Sequence, residues 1–300
     1  MMSESALIFD RPLIHARRRR AAASGPATFL LDRVSTDLSE RLSAVLRKFA
    51  LVADLGTPGD AVRRALSAHP RLGQMIAVSV LAEHLPRDAL AIAADEEMLP
   101  FRDGSLDLIV SALALQLVND LPGTLAQIRR ALRPDGLFLA ALLGGETLTE
   151  LRQALTAAEA ETTGGASPRI APFADVRTLG LLLQRAGFAL PVSDIDRVTV
   201  RYDTPLSLLD DLRRMGATNP LIERRRTPLR RRTLMRMAEI YAYRFSDPDG
   251  RVRATFDIVW LSGWAPDASQ QQPLRPGSAV VRLADALGTK EMSAGEKTGR

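Results

Sequence analysis

The feature that most constrains this chain is a series of short, almost wholly apolar runs separated by helix-like stretches. They are LVADLG (Leu51 to Gly56), QMIAVSV (Gln74 to Val80), ALAIAAD (Ala89 to Asp95), LDLIVSALAL (Leu106 to Leu115) and GLFLAALLG (Gly136 to Gly144). Each has the length of a strand buried on both faces rather than the polar–apolar alternation of a half-exposed one. Between them, 60–68 and 121–132 read as helices, and Pro134–Gly136 (PDG) is a turn into the fifth run. Apolar strands alternating with helices predict βαβ units, hence an α/β fold whose parallel sheet is covered on both sides. Upstream, Ser35 is placed to cap a helix in which Leu38, Leu42, Val45, Leu46 and Phe49 recur at helical spacing.

After Gly145 the pattern changes. Helices are predicted over 147–161 and 175–186, separated by the break TTGGASP. VSDIDRVTVRY (Val192 to Tyr202) alternates as a strand should, and RATFDIVWLSGW (Arg253 to Trp264) is the last strand. Between them, 205–245 reads as helical and carries ERRRTPLRRR. The chain therefore divides into an N-terminal arm (1–34), a main domain (35–265) with a helical insertion at about 203–250, and a C-terminal segment (266–300). The small polar residues from about 285 predict disorder.

Composition removes several chemistries. The chain has no cysteine, which excludes zinc ribbons, iron–sulfur clusters and thiol nucleophiles. Its histidines are His15, His69 and His84, none three or four residues from another, so a helix-borne two-histidine metal site is excluded and no metal is expected. No window is apolar enough for a membrane-spanning helix. Net charge is +5, and of 40 basic residues only Lys48, Lys290 and Lys297 are lysines. Aromatic residues make up 5% and do not interleave with the basic runs, which argues against a base-stacking, nucleic-acid surface. The runs Arg224–Arg226 and Arg230–Arg232 flank Pro228; they suit solvated helix ends, or a patch for an anionic lipid surface or partner. From Arg11 to Leu31 the chain is Arg-rich and free of acids, as a solvated basic arm or a mitochondrial presequence would be. The expected compartment is a bacterial cytoplasm, with contact at the inner-membrane surface; the alternative is the mitochondrial matrix.

In open parallel sheets, ligands bind beyond the carboxyl ends of the strands. The turn after the first run, ADLGTPGDAV, supplies Asp54, Gly56 and Gly59 there, where bare glycine backbone can approach a ligand closely. Past the third run lie Asp95, Glu96 and Glu97, whose carboxylates could accept from an adenine amino group or simply enrich a helix first turn.

With both cues in place, DLG, ADEEMLPFRDGSLDLIVSALAL and IRRALRPDGLFLAALLGG resemble the class I S-adenosylmethionine-dependent methyltransferases. More narrowly, IFDR, LVNDLPGTLAQIRRALRPDG, LLGGETLTELRQAL, GGASPRIAPFADVRTLGLLLQRAGF and DIVWLSGWAP are similar to the methyltransferase-like assembly factors of respiratory complex I. The similarity spans about 7–285. It implies a Rossmann-like seven-stranded sheet with an antiparallel last strand and the helical insertion before it. It also implies S-adenosylmethionine as cofactor, held by Asp54, Gly56, Gly59, Asp95, Glu96 and Ser111, with Leu99 and Leu113 near the ring. The implied activity is modification of a protein arginine or related acceptor on a complex I subunit. Phe9, Asp10 and Arg11 would fold over the pocket as a lid or serve as an N-terminal anchor.

Departures from the pattern cluster at the cofactor site. Pro58 and Asp60 stand where further glycines are usual, Val80 replaces the acid that holds the ribose, and Gln116–Leu117 replaces an aromatic pair. The alternative function is accordingly a non-catalytic assembly scaffold. No catalytic residue is assigned, because in-line methyl transfer requires mainly positioning.

Overall fold

The computed structural model describes residues 7–271 and 283–289. The chain divides into a unit comprising 1–266 and a small one comprising 267–300. In the second unit the described residues include a short helix, Leu283–Ala286. Beyond residue 289, the expected disorder lies outside the described residues.

The first unit is built on a seven-stranded sheet: β1 (Phe49–Leu55), β2 (Leu72–Ser79), β3 (Ala91–Ala93), β4 (Leu106–Ala112), β5 (Leu132–Leu143), β6 (Ala189–Tyr202) and β7 (Val252–Trp264). Its order is β3-β2-β1-β4-β5-β7-β6. The first five strands run parallel, while β7 is antiparallel to both β5 and β6. This is the Rossmann-like arrangement that the sequence implies, with the polarity reversal at β7.

Side chains on successive strand positions go to opposite faces, and both faces are apolar. Val52, Leu108 and Leu137 enter one core, whereas Ala53, Ile109 and Phe138 enter the other. Helices α2 (Phe29–Ser43), α3 (Ala61–Leu66), α5 (Thr149–Thr163), α7 (Pro205–Arg214) and α8 (Arg231–Phe245) cover the first face. Helices α4 (Leu121–Ala131) and α6 (Val176–Arg185) cover the second. This two-sided burial is why the strands read as unbroken apolar runs.

Three boundaries differ from expectation. The helix given to Ser35 starts at Phe29, because Leu30, Leu31 and Val34 extend the buried stripe that continues at Leu38 and Leu42. It stops at Ser43, and Phe49 opens β1 instead of closing the helix. The 34/35 boundary thus falls inside α2, and the basic segment before it forms α1 (Arg11–Ala23), with Ile14, Arg18 and Ala21 buried. The PDG turn lies within β5, where Asp135 adopts φ 59° and the register against β4 shifts between Leu106 and Leu108. The stretch 205–245, read as helical, is two helices, α7 and α8, separated by a non-helical 215–230 that contains Gly216, Pro220 and Pro228; both helices fall between β6 and β7 as the resemblance implies.

Candidate active site

The carboxyl ends of β1, β4 and β5 open into a cavity of about 400 Å³. Its floor includes Pro58, Gly59 and Asp60 after β1, Leu113 and Gln116 after β4, and Leu143 and Leu148 after β5. Helix α1 contributes Arg18, Ala21 and Ala22, and the end of α7 contributes Met215 and Gly216. That volume is in the range of small-molecule sites.

Local backbone shapes this floor. Gly56 and Gly59 hold φ of 70° and 73°, the left-handed region that glycine enters without steric cost. Leu113 and Leu148 also hold positive φ, 51° and 57°, which costs a leucine of order 1–3 kcal/mol. Hydrogen bonds fix both: Leu113 N–H to Ala141 O and Leu148 N–H to Thr255 O. Both leucines border the cavity, whereas the other non-glycine residues with positive φ among those described, Asp135 and Leu190, do not.

Asp54 closes β1 and is 3% exposed, with one carboxylate oxygen lacking a partner. Burial pushes its carboxyl up to about 7, against a hydrogen bond from Thr57 and the charge of Arg63. The native state therefore prefers the protonated acid, and the stability it contributes is lost as pH rises from its ordinary value through about 7. Asp54→Asn should match the native protein in stability below pH 4 and exceed it increasingly up to pH 7. Urea titrations at stepped pH test this; a constant difference across the range would contradict it.

The two acids past β3 have found a cation. Arg11, at the start of α1, donates to Asp95 (2.5 Å) and to Glu96. Burial pushes Asp95 up, but the Glu97 N–H and Arg11 outweigh it and hold its carboxyl below the ordinary value. Glu96 is 2% exposed and lies against the bare Cα of Gly56, where an added Cβ would fall 2.5 Å from its Oε1. His15 joins these acids: its ring nitrogen and the two carboxylates come within 4.8 Å of one another. A guanidinium already occupies the carboxylates there. Burial, and then Arg11, hold His15 below its ordinary value.

The segment before α1 is strapped down. Asn119 Oδ1 accepts from the backbone N–H of Ile8 and Phe9, and its amide donates to Phe9 O. Phe9 pairs with Leu221 of the insertion, and Asp10 caps α1 and pairs with Arg224. Phe9, Asp10 and Arg11 thus lie over the acidic side of the sheet ends.

Of the residues singled out in the sequence, Gly59 borders the cavity, whereas Asp54, within β1, and Gly56, directly after it, are not among its lining residues. Asp95 and Glu96 are brought together under Arg11. Ser111 is not at the ligand side: it is fully buried and its Oγ donates to Leu55 O (2.7 Å), tying β4 to β1. The Gly56 N–H is likewise spent on Val78 O. Val80 follows directly on β2, where no carboxylate stands. Arg18 was missed, since a four-arginine run reads as a solvated face. Gln116, noted only as a departure, directs its Nε2 to Leu113 O and leaves Oε1 buried without a donor.

Strand order, glycine turn and cavity together define a class I methyltransferase fold. A methyltransferase-domain model matches residues 54–140. The YcgJ protein of Bacillus subtilis superposes with TM-score 0.53 at 15% identity, covering 78% of this chain and 99% of that one. The arginine hydroxylase NDUFAF5 of Danio rerio mitochondria is 39% identical over 93% of this chain and 89% of its own length. Its human counterpart is 37% identical over 93% and 83%. A malonyl-[acyl-carrier protein] O-methyltransferase of Laribacter hongkongensis is 33% identical over 93% and 97%. The chain belongs to the NDUFAF5 family.

Proposed function

We propose that this chain is an S-adenosylmethionine-dependent enzyme of the complex I assembly type, modifying an arginine or related acceptor of a complex I subunit. The observation that carries the reading is a pair of buried polar atoms without partners on residues that line the cavity, Oε1 of Gln116 and Nε of Arg63, with a third, an oxygen of Asp54, near the end of β1. A buried polar atom without a partner costs about 1–3 kcal/mol, and the amino-acid end of the cofactor, which carries both an ammonium donor and a carboxylate acceptor, would satisfy such atoms. Asp54, the Gly56–Gly59 turn and Gln116 fit that end. The adenosine end fits less well: Val80 offers no ribose acceptor, and Asp95 and Glu96 are engaged by Arg11.

When bound, the cofactor supplies a sulfonium-activated methyl group. The chain contributes placement. Leu113, Leu143 and Leu148 exclude water from the floor, and Arg18, Ala21 and Ala22 of α1 line another side. The test is incubation with S-adenosylmethionine and an arginine-bearing complex I subunit, read by mass spectrometry for addition of a methyl group to the acceptor. An unmodified acceptor in a mixture where the cofactor binds would contradict the acceptor half of the reading.

The second reading, a scaffold that keeps the fold without catalysis, is favoured by the Arg11 clamp and Val80. The basic edge supports a peripheral membrane contact. Arg224 turns inward to Asp10 and to Leu221 O, but Arg225, Arg226, Arg230, Arg231 and Arg232 are exposed. No described helix is long and apolar enough to cross a membrane, so any such contact by these helices is superficial. The chain should sediment with phosphatidylglycerol vesicles at low salt and not in molar salt, and Arg225→Glu with Arg226→Glu should weaken the low-salt binding. Equal sedimentation with neutral vesicles would remove the electrostatic contact.

A further inference from the structure

We propose that Arg18 is a carboxylate-binding residue of the cavity, taking the acidic end of a ligand whose body lies along the leucine-lined floor. This deepens the enzyme reading and rests on it for the cofactor arm of the test alone.

Arg18 is 9% exposed and borders the cavity, and among the described residues no hydrogen bond or ion pair engages its guanidinium. Arginine is almost never buried unless paired, because desolvation penalises the charge. Burial indeed pulls Arg18 down, and Glu96 offsets it only at a distance, with Arg11 opposing. A buried cation without a partner, facing open volume, is a place prepared for an anion.

The other charged groups around the cavity leave that charge uncompensated. The lining acids Asp60 and Glu83 pair outward, with Arg64 (3.0 Å) and Arg19 (2.6 Å). Arg63 and Arg214 add positive charge to the lining. The planar guanidinium fork matches a carboxylate with two parallel hydrogen bonds. Apart from Thr28 and Gln116, the rest of the wall is largely apolar and includes Leu113, Leu117, Leu143, Leu148, Phe173 and Met215. Packing fixes the base of the side chain, since the Arg18 backbone lies against Gly216 (φ 69°), where an added Cβ would fall 3.0 Å from Arg18 Cα and 3.2 Å from its Cγ.

One carboxylate chemistry has two sources, the amino-acid end of the cofactor and an acidic acceptor. Calorimetric titration of the full chain and its Arg18→Met variant separates them. The probes are S-adenosylhomocysteine, methylthioadenosine (the same nucleoside without a carboxylate), octanoate and octanamide. Loss of one charge-assisted bond pair weakens binding by about 10- to 100-fold. If Arg18 takes the cofactor's carboxylate, the variant loses that factor for S-adenosylhomocysteine and none for methylthioadenosine. If it takes an acceptor's, S-adenosylhomocysteine is unaffected and octanoate loses the factor, with octanamide unchanged. Failure of both nucleosides on the native chain, with octanoate still bound through Arg18, ends the cofactor reading and leaves this one standing. Native affinity of the variant for every probe, or no binding of any probe to the native chain, overturns it. Removing an unpaired buried charge should also leave the variant melting at or above the native temperature. A lower midpoint with unchanged affinities assigns Arg18 to packing and overturns the proposal. Arg18→Lys, which keeps the charge without the fork, should bind the responsive probe with intermediate affinity.

Discussion

Arg11→Met should destabilise the protein by about 3–5 kcal/mol, the usual result of removing one partner from a buried ion pair. Arg11 is 11% exposed on its side chain and Glu96 2%. The substitution leaves the buried Glu96 carboxyl without its ion-pair partner, against the Gly56 backbone with Asp95 and His15 beside it. Introducing Glu96→Gln into the same variant removes the stranded charge and should restore much of the loss. Acid should narrow the gap between native and Arg11→Met: Asp95 is held below its ordinary value, so its contribution is present above that value and fades as pH falls through the native one. Equilibrium urea unfolding measures all three. An Arg11→Met variant within 1 kcal/mol of native would mean the pair is no more than a surface contact.

Glu159→Ala should cost a similar amount for a related reason. The Glu159 carboxylate is buried on α5 and receives Arg169, the Ser167 N–H (2.7 Å) and the Ser167 hydroxyl. These bonds fasten the 164–171 segment, whose Ala171 packs with Phe9, Ile14, Leu117 and Leu221 in a small core beneath the strap. Without Glu159, Arg169 loses its counter-ion and the Ser167 N–H its acceptor, so the expected loss is about 3–5 kcal/mol. Glu159→Gln keeps acceptor capacity and should cost less. Hydrogen exchange should rise in the variant both at 164–171 and at Ile8–Asp10. Faster exchange confined to 164–171 would show that the strap stands independently.

These two variants also mark where sequence reading stops. Strands β1 to β5 were legible because parallel strands buried on both faces must be apolar throughout, and 51–56 or 106–115 admit little else. The antiparallel direction of β7 came through resemblance; its place between β5 and β6 was not read, since periodicity carries no strand order. Helix α1 was the least legible. Arg11 through Arg20 reads as a solvated basic stretch, yet Arg11 and Arg18 face inward, and nothing local announces it: the partners of Arg11 lie 84 and 85 residues away. Ser111 misled for the opposite reason. A hydroxyl at the end of a buried strand looks available to a ligand, but Leu55 O, one strand over, takes it. Asp54, Gly59 and the acids past β3 could be singled out because their position relative to the strand ends is set by the fold itself.

The central claim is that the cavity beyond β1, β4 and β5 holds S-adenosylmethionine despite Pro58, Asp60 and Val80. A thermal melt of the native chain with and without millimolar S-adenosylmethionine, followed by calorimetric titration, tests it most directly. Ligand at a hundred times its dissociation constant adds about 2.7 kcal/mol to stability, so the midpoint should rise by several degrees, with saturable heat at one site per chain. An unmoved midpoint and a flat titration would contradict the claim and leave the scaffold reading in its place.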